Sequence, residues 1–528
     1  MTNEELANIL FPDVKETIMD IERCYPQREL REHEEVTRFG ASPTGYINIG
    51  GLYTAFVSWK LAEQTKGHFI LRIEDNNRRD IIDGGINDFV DSLLKYHILF
   101  DEGYFNKDNE VGIYGPYSQT ARKHIYQVFI KDLVAKGIAY PCFCSLEDLE
   151  EMRRCQRKSG VKTGYYGEYA KCRYLSLTEA ADKALRKEPF TIRIKSEYLR
   201  TYNTEVYNDL IKGKVKLKKT DLDIVIMKQS GIPDYNFAHV VDDHFMGTTT
   251  ITRCEDWLPS LHTHLALFHV MGWNPPNYAH IGAISIKINN SIVKVSKKLG
   301  EKVTVQYYLK KGYIPEAIHK YFLITACADY EQFWLENKEK TYSFALNKMS
   351  AHGALLDVKK LNYVSKKELS KLSVDVLYEK YLQWIEEYYP DELEIYHNDT
   401  VFIKNVIRTI KGLEKPRMAI AYFEQLHEEI LLFLNAPYRI DMLKNDRENL
   451  SLFLTYIHQQ KWTTLAMTKD CVISFCTANN LTTSEFCMIL RKMITGKEKS
   501  PSVYEMLFLI GKDRICDWLK IILNIEVD

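Results

Sequence analysis

The stretch that decides the fold is Arg38-Phe39-Gly40-Ala41-Ser42-Pro43-Thr44-Gly45-Tyr46-Ile47-Asn48-Ile49-Gly50-Gly51. Its first residues are typical of a strand, and a glycine-rich turn (the glycine turn, residues 42–51) leads into an apolar helical pattern. Such a turn presents backbone N–H groups and a helix N-terminus, both of which bind anions. Two glycines before an apolar helix are more often an ordinary connection. The phosphate site predicted here therefore depends on the rest of the chain.

Short apolar strands and amphipathic helices alternate from Val36 onward. Residues 69–73 have the pattern of a strand, and residues 86–96 repeat apolar side chains at helical spacing. Strands separated by helices favour a parallel sheet covered by helices, which binds nucleotides at the carboxyl ends of its strands. The sequence therefore predicts an α/β fold with a Rossmann-like parallel-sheet domain.

The pattern changes between residues 140 and 222, where cysteines, tyrosines and lysines accumulate around β-like runs such as 190–194. Strand patterns return at 223–227, 235–241 and 248–253. We predict one catalytic domain over 36–305, interrupted by an inserted α+β domain at 140–222 and preceded by an N-terminal extension at 1–35.

Strand patterns end near residue 305. Apolar residues recur at helical spacing over 376–389, 401–410, 419–434 and 504–510. The sequence therefore predicts all-α C-terminal domains, which we divide into 306–375 and 376–528.

The composition is that of an ordinary globular protein. The chain has 528 residues, a net charge of -1 and 11 cysteines, too long for a single core and unlike a short disulfide-stabilised secreted chain. It has no long uncharged apolar run and no secretory signal pattern, so we predict a cytoplasmic protein without membrane contact. A polyanion would have to be bound by local patches such as the lysine run at 212–219.

A second signal is Lys294-Val295-Ser296-Lys297-Lys298 (the lysine loop, residues 294–298), which follows a strand-like segment at 283–288. Lysines on a loop suit the neutralisation of charge that develops on pyrophosphate. Alone, such a loop is most often a solvated surface segment. Its significance lies in its pairing with the glycine turn.

This ordered pair resembles the class I aminoacyl-tRNA synthetases, with Asn48-Ile49-Gly50-Gly51 in the place of HIGH and the lysine loop in the place of KMSKS. The flanking motifs look like those of the glutamyl-tRNA synthetases, in order from Val36 to about residue 365. These motifs are Arg38-Phe39, Ser42-Pro43-Thr44-Gly45, Leu71-Arg72-Ile73-Glu74-Asp75, Tyr235-Asn236-Phe237-Ala238, Val240-Val241-Asp242-Asp243-His244 and Glu255-Asp256-Trp257.

The resemblance implies ATP-dependent ligation of L-glutamate to tRNA(Glu) through glutamyl-adenylate, with ATP and Mg²⁺. It also implies two groups of site residues. The phosphate and catalytic group is Asn48, Gly50, Gly51, Lys294, Ser296 and Lys297. The glutamate group is Arg38 and Arg253 for the carboxylates, Glu74 for the ammonium, and Ser42, Tyr235 and His239 to complete the pocket.

The residue types agree with this chemistry. Glutamate has two carboxylates, and the planar guanidinium of arginine binds a carboxylate through two hydrogen bonds. Adenylate formation and acyl transfer need positioning and charge stabilisation rather than a protein nucleophile. The competing interpretation of Arg72 and Glu74 is a surface ion pair, which we would favour for an isolated pair.

The same resemblance implies tRNA contacts outside the catalytic domain. It assigns the acceptor stem to the insertion at 140–222, the inside corner of the tRNA to 306–375 and the anticodon to 376–528. Lys348-Met349-Ser350 matches the KMS letters more literally than the lysine loop but follows the last predicted strand, so we assign it to the stem-contact domain. Charging of tRNA(Gln) is left open, and a monomer is the common form of the family.

Cys142, Cys144 and Cys172 resemble the zinc ligands of some family members. A tetrahedral site needs a fourth ligand, for which Tyr174, Tyr169 and Tyr166 are candidates. The alternative is that these cysteines are free cytosolic thiols.

Asn48 replaces the usual histidine, and its amide can donate a hydrogen bond but cannot carry a charge. This leaves two alternatives in the family, a catalytically weak tRNA-binding paralogue and a glutamate-activating enzyme of a non-translational pathway. A third is a nucleotidyltransferase that acts on a small acid without RNA, which the long helical region disfavours.

Overall fold

The computed structural model describes residues 1–76, 81–106, 108–336, 341–413, 420–438 and 444–525, without the side chains of Lys297 and Lys444. The chain forms two units. The first contains residues 1–305 and 322–356, and the second contains residues 306–321 and 357–528. The domain boundaries inferred from the sequence stay a prediction.

The strands, in chain order, are β1 Val36–Ala41, β2 His68–Ile73, β3 Glu102–Asn106, β4 Asn109–Val111, β5 Ala139–Cys142, β6 Thr191–Ile194, β7 Val206–Asp209, β8 Gly213–Lys216, β9 Val225–Met227, β10 Thr250–Cys254, β11 Asn277–Ile281, β12 Ile284–Ile288, β13 Ser291–Lys294 and β14 Ala354–Leu355.

The helices, in chain order, are α1 Asn3–Leu10, α2 Ile18–Cys24, α3 Ile49–Thr65, α4 Gly85–Lys95, α5 Lys123–Ala135, α6 Leu146–Lys158, α7 Leu177–Leu185, α8 Ser196–Arg200, α9 Tyr235–Phe245, α10 Leu261–Met271, α11 Val305–Lys311, α12 Pro315–Ala326, α13 Tyr330–Glu336, α14 Val358–Lys371, α15 Val374–Tyr388, α16 Leu393–Asn398, α17 Thr400–Lys411, α18 Phe423–Leu434, α19 Lys444–His458, α20 Leu465–Ala478, α21 Thr483–Thr495, α22 Val503–Ile510 and α23 Lys512–Leu523.

The first unit is built on parallel strands, as predicted. β1 pairs in parallel with β2, β2 pairs in parallel with β3, and β10 pairs in parallel with β11. The N–H of Thr249, just before β10, donates to the carbonyl of Val36 at 2.9 Å, so β10 begins beside β1. Chain order therefore reverses between β1 and β10, the kind of position where ligands bind in open α/β sheets.

The inserted segment forms an antiparallel sheet of its own. β5 pairs with β6, β6 pairs with β9, and β7 and β8 form a separate hairpin. We expected residues 223–227 to rejoin the parallel sheet, but β9 pairs with β6 instead. The apolar run is only four residues long (224–227), and so short a run does not indicate which strand it pairs with.

Residues 235–241, predicted as a strand, form the start of helix α9. The side chain of Asp234 accepts a hydrogen bond from the N–H of Asn236 and begins the helix. Phe237, Val241 and Phe245 follow at four-residue spacing and are buried. A short apolar run fits a strand or a buried helix equally well, and here the cap decides for the helix.

The second unit is helical, as predicted for the C-terminal region. Its core buries apolar side chains from α15 to α23, including Tyr381, Phe475 and Trp518. The expectation that strands end near residue 305 is wrong at β14, which belongs to the first unit and pairs in parallel with β12.

No helix among the described residues combines the length and the apolar character needed to cross a bilayer.

Candidate active site at the carboxyl ends of the parallel strands

A cavity of about 440 Å³ lies at the carboxyl ends of β1 and β10. The glycine turn, the lysine loop and the predicted glutamate residues all contribute to its lining, although up to 258 positions separate them in the chain (296 minus 38). The predicted site residues that line it are Arg38, Ser42, Asn48, Gly50, Gly51, Glu74, Tyr235, Arg253, Lys294 and Ser296.

The glycine turn places the N-terminus of α3 at this cavity. Asn48 is the N-cap residue, and its Oδ1 accepts a hydrogen bond from the N–H of Gly51 at 2.9 Å. A side chain at Gly50 would bring its Cβ within 3.2 Å of that Oδ1. The turn thus needs small residues, and the positive end of the helix dipole points to where an anion can bind.

Asn48 caps helix α3 and is also predicted to lie beside the phosphates of ATP, and two substitutions separate these effects. Asn48→Asp keeps an oxygen cap but adds a negative charge beside the expected phosphates, so we expect the KM for ATP to rise about tenfold without loss of stability. Asn48→Ala removes the cap and should lower the free energy of unfolding by about 1 kcal/mol. Pyrophosphate exchange and denaturant titration of both variants check this; an unchanged KM for ATP in Asn48→Asp would contradict it.

The lysine loop is carried by the β12–β13 hairpin. Ser285 lies opposite Lys294, and the N–H of Val295 donates to the carbonyl of Ile284 at 2.9 Å. The ammonium of Lys294 pairs with Asp256 and lies 3.4 Å from the sulfur of Cys254. The side chain of Lys297, the other predicted lysine, lies outside the described part of the structure.

Arg38 belongs to a buried network of charges. Its Nε donates to Oδ1 of Asp243 at 3.0 Å, and the same oxygen accepts from Nη1 of Arg72 at 2.8 Å. Nη2 of Arg72 in turn donates to Oε1 of Glu74 at 3.0 Å. Burial disfavours the charged form of Asp243, but Arg38 and Arg72 outweigh it and hold the pKa of that carboxyl below its usual value.

This network excludes the interpretation of Arg72 and Glu74 as a surface ion pair, because the side chain of Arg72 is fully buried. Asp243 holds Arg38 directly and Glu74 through Arg72. Asp243 therefore orients both Arg38, which is predicted to bind a substrate carboxylate, and Glu74, which is predicted to bind the substrate ammonium.

Gly40, on β1, leaves the space that Glu74 occupies. A Cβ built on Gly40 would lie 2.4 Å from Oε1 of Glu74, far closer than van der Waals contact permits. We expect Gly40→Ala to displace the carboxylate and to raise the KM for glutamate about tenfold, or ~1.4 kcal/mol. Initial rates at varied glutamate test this, with the KM for ATP as the internal control; a glutamate KM within twofold of the native value would refute the steric role.

Arg253 is held differently from Arg38. Its guanidinium donates to Nε2 of His280 at 2.9 Å and to the carbonyl of Trp257 at 3.2 Å, and Nη1 lies 3.0 Å from Nδ1 of His264. Burial lowers the pKa of both imidazoles, so they are neutral acceptors. No ion pair among the described residues includes Arg253, and its charge faces the cavity without compensation.

The remaining pocket residues divide into wall and support. The ring centroids of Tyr235 and Trp257 lie 4.5 Å apart with the rings tilted by 33°, and burial raises the pKa of Tyr235 to about 12, so its hydroxyl stays protonated. His239 does not line the cavity. Its Nε2 lies 3.1 Å from the hydroxyl of Tyr278, and burial lowers its pKa well below the ordinary value. Its Nδ1 lies 3.4 Å from Nη2 of Arg38, so His239 supports a residue that lines the cavity.

Comparison with known proteins matches this architecture to one family. Residues 35–363 match the family described as tRNA synthetases class I (E and Q), catalytic domain, and residues 377–523 match an anticodon binding domain. The chain belongs to the glutamate–tRNA ligase family of class I aminoacyl-tRNA synthetases.

Relatives support this membership over most of the chain. A glutamate–tRNA ligase of Acetivibrio thermocellus is 39% identical over 447 residues, covering 83% of this chain and 81% of the relative. A second, of Finegoldia magna, is 31% identical and covers 92% of this chain and 99% of the relative. The crystal structure of a glutamate tRNA ligase from Elizabethkingia meningosepticum has a TM-score of 0.75 at 24% identity, covering 93% of this chain and 99% of that one, and shares the fold.

The synthetase also gathers the three predicted cysteines. The sulfur atoms of Cys142, Cys144 and Cys172 lie within 4.8 Å of one another, near a separate cavity of about 200 Å³. The hydroxyl of Tyr165 lies 3.4 Å from the sulfur of Cys144 and accepts from the N–H of Cys172 at 3.0 Å.

Among the tyrosines considered from the sequence, Tyr174 is exposed and the hydroxyl of Tyr166 donates to the carbonyl of Lys162. Tyr169 lines the cavity.

Sequence reasoning missed the supporting residues of this synthetase site. Asp243, His264 and His280 were not singled out, although Asp243 belongs to a quoted motif. Two adjacent acids inside the apolar segment 237–245 are the signal that could have found Asp243, because buried carboxylates need cationic partners. The two histidines have no comparable local signal.

Proposed function

We propose that this protein ligates L-glutamate to tRNA(Glu), using ATP with Mg²⁺ and passing through a glutamyl-adenylate intermediate. The observation that supports this most strongly is a single cavity lined by the glycine turn, the lysine loop and two guanidinium groups. Family membership supports aminoacylation of tRNA as the reaction, and the charged residues of the cavity support glutamate as the substrate.

Three charged side chains match the three charges of glutamate. Arg38 and Arg253 bind the two carboxylates, since a guanidinium suits a carboxylate better than an ammonium does. Glu74 faces the substrate ammonium, and Ser42 and Tyr235 complete the wall. Burial lowers the pKa of His239, His264 and His280, so these imidazoles are neutral and add no charge to the site.

The phosphates of ATP fit the part of the cavity lined by the glycine turn and the lysine loop. The N–H groups at the start of α3 other than that of Gly51, the amide of Asn48 and the small size of Gly50 and Gly51 suit close approach of a phosphate. Lys294, Ser296 and Lys297 stabilise the departing pyrophosphate. Mg²⁺ would supply further positive charge to the phosphates.

The two steps then need only positioning. An oxygen of the glutamate α-carboxylate attacks the α-phosphorus, and the bond to pyrophosphate breaks with its electron pair. A ribose hydroxyl at the tRNA 3′ end then attacks the acyl carbon, and AMP leaves. We assign the tRNA contacts to 140–222, 306–375 and 376–528; charging of tRNA(Gln), the monomeric state and the cytoplasmic location stay predictions.

Glutamate-dependent exchange of pyrophosphate into ATP, run with and without tRNA(Glu), tests the proposal. We expect exchange that needs tRNA, together with formation of glutamyl-tRNA. Exchange that is indifferent to tRNA would favour a small-acid nucleotidyltransferase, and no exchange under either condition would favour a tRNA-binding paralogue. An enzyme of a non-translational pathway would activate glutamate and consume ATP, but the tRNA in the assay would stay uncharged.

We also propose that Cys142, Cys144 and Cys172 bind structural zinc; the hydroxyl of Tyr165 lies beside them, 3.4 Å from the sulfur of Cys144. The three sulfur atoms are close enough to share one ion.

Metal analysis of the purified protein tests the zinc site. We expect about one zinc per chain in the native protein and near none in the double variant Cys142→Ser, Cys172→Ser. Cys327→Ser, a change at a buried cysteine elsewhere in the same unit, is the matched control and should keep its zinc. Native protein prepared with zinc in the medium and containing none would leave the cysteines as free thiols.

A further inference from the structure

The orientation of Arg253 depends on groups that do not touch the cavity. Its Nε donates to Nε2 of His280, and His280 is fully buried on β11. A guanidinium nitrogen can only donate, so Nε2 must be the unprotonated nitrogen of a neutral imidazole. The ring proton of His280 must then sit on Nδ1.

Asp209 fixes that proton. Nδ1 of His280 lies 2.6 Å from Oδ2 of Asp209, whose side chain is fully buried. The backbone N–H of His280 also points to this carboxylate, with 3.1 Å to Oδ1 and 3.2 Å to Oδ2. Burial opposes ionisation of Asp209, but the hydrogen bonds from His280 and from the N–H of Lys212 together outweigh it and lower the pKa of that carboxyl.

The position of Asp209 is fixed independently of Arg253. It ends β7, and its Oδ1 accepts from the N–H of Ile211 at 3.0 Å and of Lys212 at 2.8 Å in the turn to β8. The N–H of Leu210 donates to the carbonyl of Tyr278 on β11 at 2.9 Å. The inserted hairpin therefore presents one carboxylate to His280.

We propose that Asp209 is a positioning residue that locks the tautomer of His280 and thereby aims Arg253 at a substrate carboxylate. The proposal rests on the proposed glutamate site and names a further residue on which recognition of the substrate's charge depends.

The arrangement has a clear physical reason. A carboxylate in direct contact with Arg253 would orient it but would also offset part of its charge, as Asp243, shared with Arg72, does for Arg38. With an imidazole in between, the acid orients the guanidinium and leaves its charge to the ligand. The same logic holds at His264, whose Nε2 lies 3.0 Å from Oδ1 of Asn236, a neutral acceptor.

Asp209→Asn should reverse the tautomer. The amide that replaces Oδ2 donates to Nδ1 of His280, so the ring proton moves to Nε2 and faces the N–H of Arg253. Two donors then oppose each other. We expect the KM for glutamate to rise about 10- to 30-fold, with kcat within threefold of the native value and the KM for ATP unchanged.

The matched control is Asp223→Asn. Asp223 is as deeply buried and accepts hydrogen bonds from Tyr140 and the N–H of Ser196, but it has no contact with His280 or Arg253. It should show any general effect of neutralising a buried acid near the insertion, while leaving the KM for glutamate unchanged.

His280→Phe tests whether Asp209 acts through the ring. We expect His280→Phe alone to raise the KM for glutamate as Asp209→Asn does, and Asp209→Asn to add nothing in that background. Long-range ¹H–¹⁵N spectra of histidine-labelled protein, assigned with His280→Phe, should show the proton on Nδ1 in the native protein and on Nε2 in Asp209→Asn.

The outcomes separate this inference from the proposed function. A native protein without glutamate-dependent activity would overturn the function. An active native protein whose Asp209→Asn variant keeps its KM for glutamate would overturn the relay alone. So would additive effects in the double variant, or an unchanged tautomer. If Asp209→Asn does not fold, a native KM for glutamate in His280→Phe would still overturn the relay.

Discussion

Replacing Arg253 with alanine is expected to raise the KM for glutamate by about 100- to 1,000-fold. Arg253 is a buried cation without a carboxylate partner among the described residues, so a substrate carboxylate is its natural counterion. Removing one member of a buried charge pair costs about 3–5 kcal/mol, and each ~1.4 kcal/mol is a factor of ten in binding.

Initial rates of pyrophosphate exchange at varied glutamate, with tRNA present, measure this effect. The matched control is Arg28→Gln, since Arg28 is also buried but pairs with Glu102 away from the cavity. That change should lower the stability of the fold and leave the glutamate KM in place. An unchanged KM for glutamate in Arg253→Ala would show that Arg253 does not bind the substrate.

Lys297→Ala is expected to slow glutamate activation about 100- to 1,000-fold while the KM for glutamate stays within threefold. The sequence places Lys297 in the lysine loop, where a cation stabilises charge that develops only as pyrophosphate departs. An interaction made only in the transition state affects kcat rather than ground-state binding.

Single-turnover formation of glutamyl-adenylate isolates this step from product release. Lys302→Ala is the control, because Lys302 is an exposed lysine just beyond the loop. Parallel loss of glutamate binding and rate in Lys297→Ala would show that this lysine acts on the ground state or on the fold.

The features that the sequence predicted are local or depend on motif order. The strand, turn and helix of 38–51 follow from glycines and one capping side chain, all within a few residues. The parallel sheet follows from alternating patterns. Arg38 and Arg253 lie at one cavity as expected from the order of the motifs, and their roles stay predictions.

What the sequence did not predict depends on distant partners. Asp243 meets Arg72 across 171 positions and Asp209 meets His280 across 71, and no local pattern encodes such contacts. Residues 235–241 were assigned to a strand because a short apolar run has no period of its own. Tyr165 was overlooked beside the cysteines because the candidates were chosen by distance along the chain rather than in space.

The two-residue strand β14 has a practical consequence for anyone who wishes to isolate the adenylate-forming part. Ala354 and Leu355 brace β12, the inner edge of the hairpin from which the lysine loop extends. A gene fragment that ends at residue 305, where the sequence pattern changes, would lack β14. The β12–β13 hairpin that carries the lysine loop would then lose its pairing with β14. The shortest fragment worth expressing ends after residue 356, and it necessarily carries the described helices α11, α12 and α13, which precede β14 in the chain.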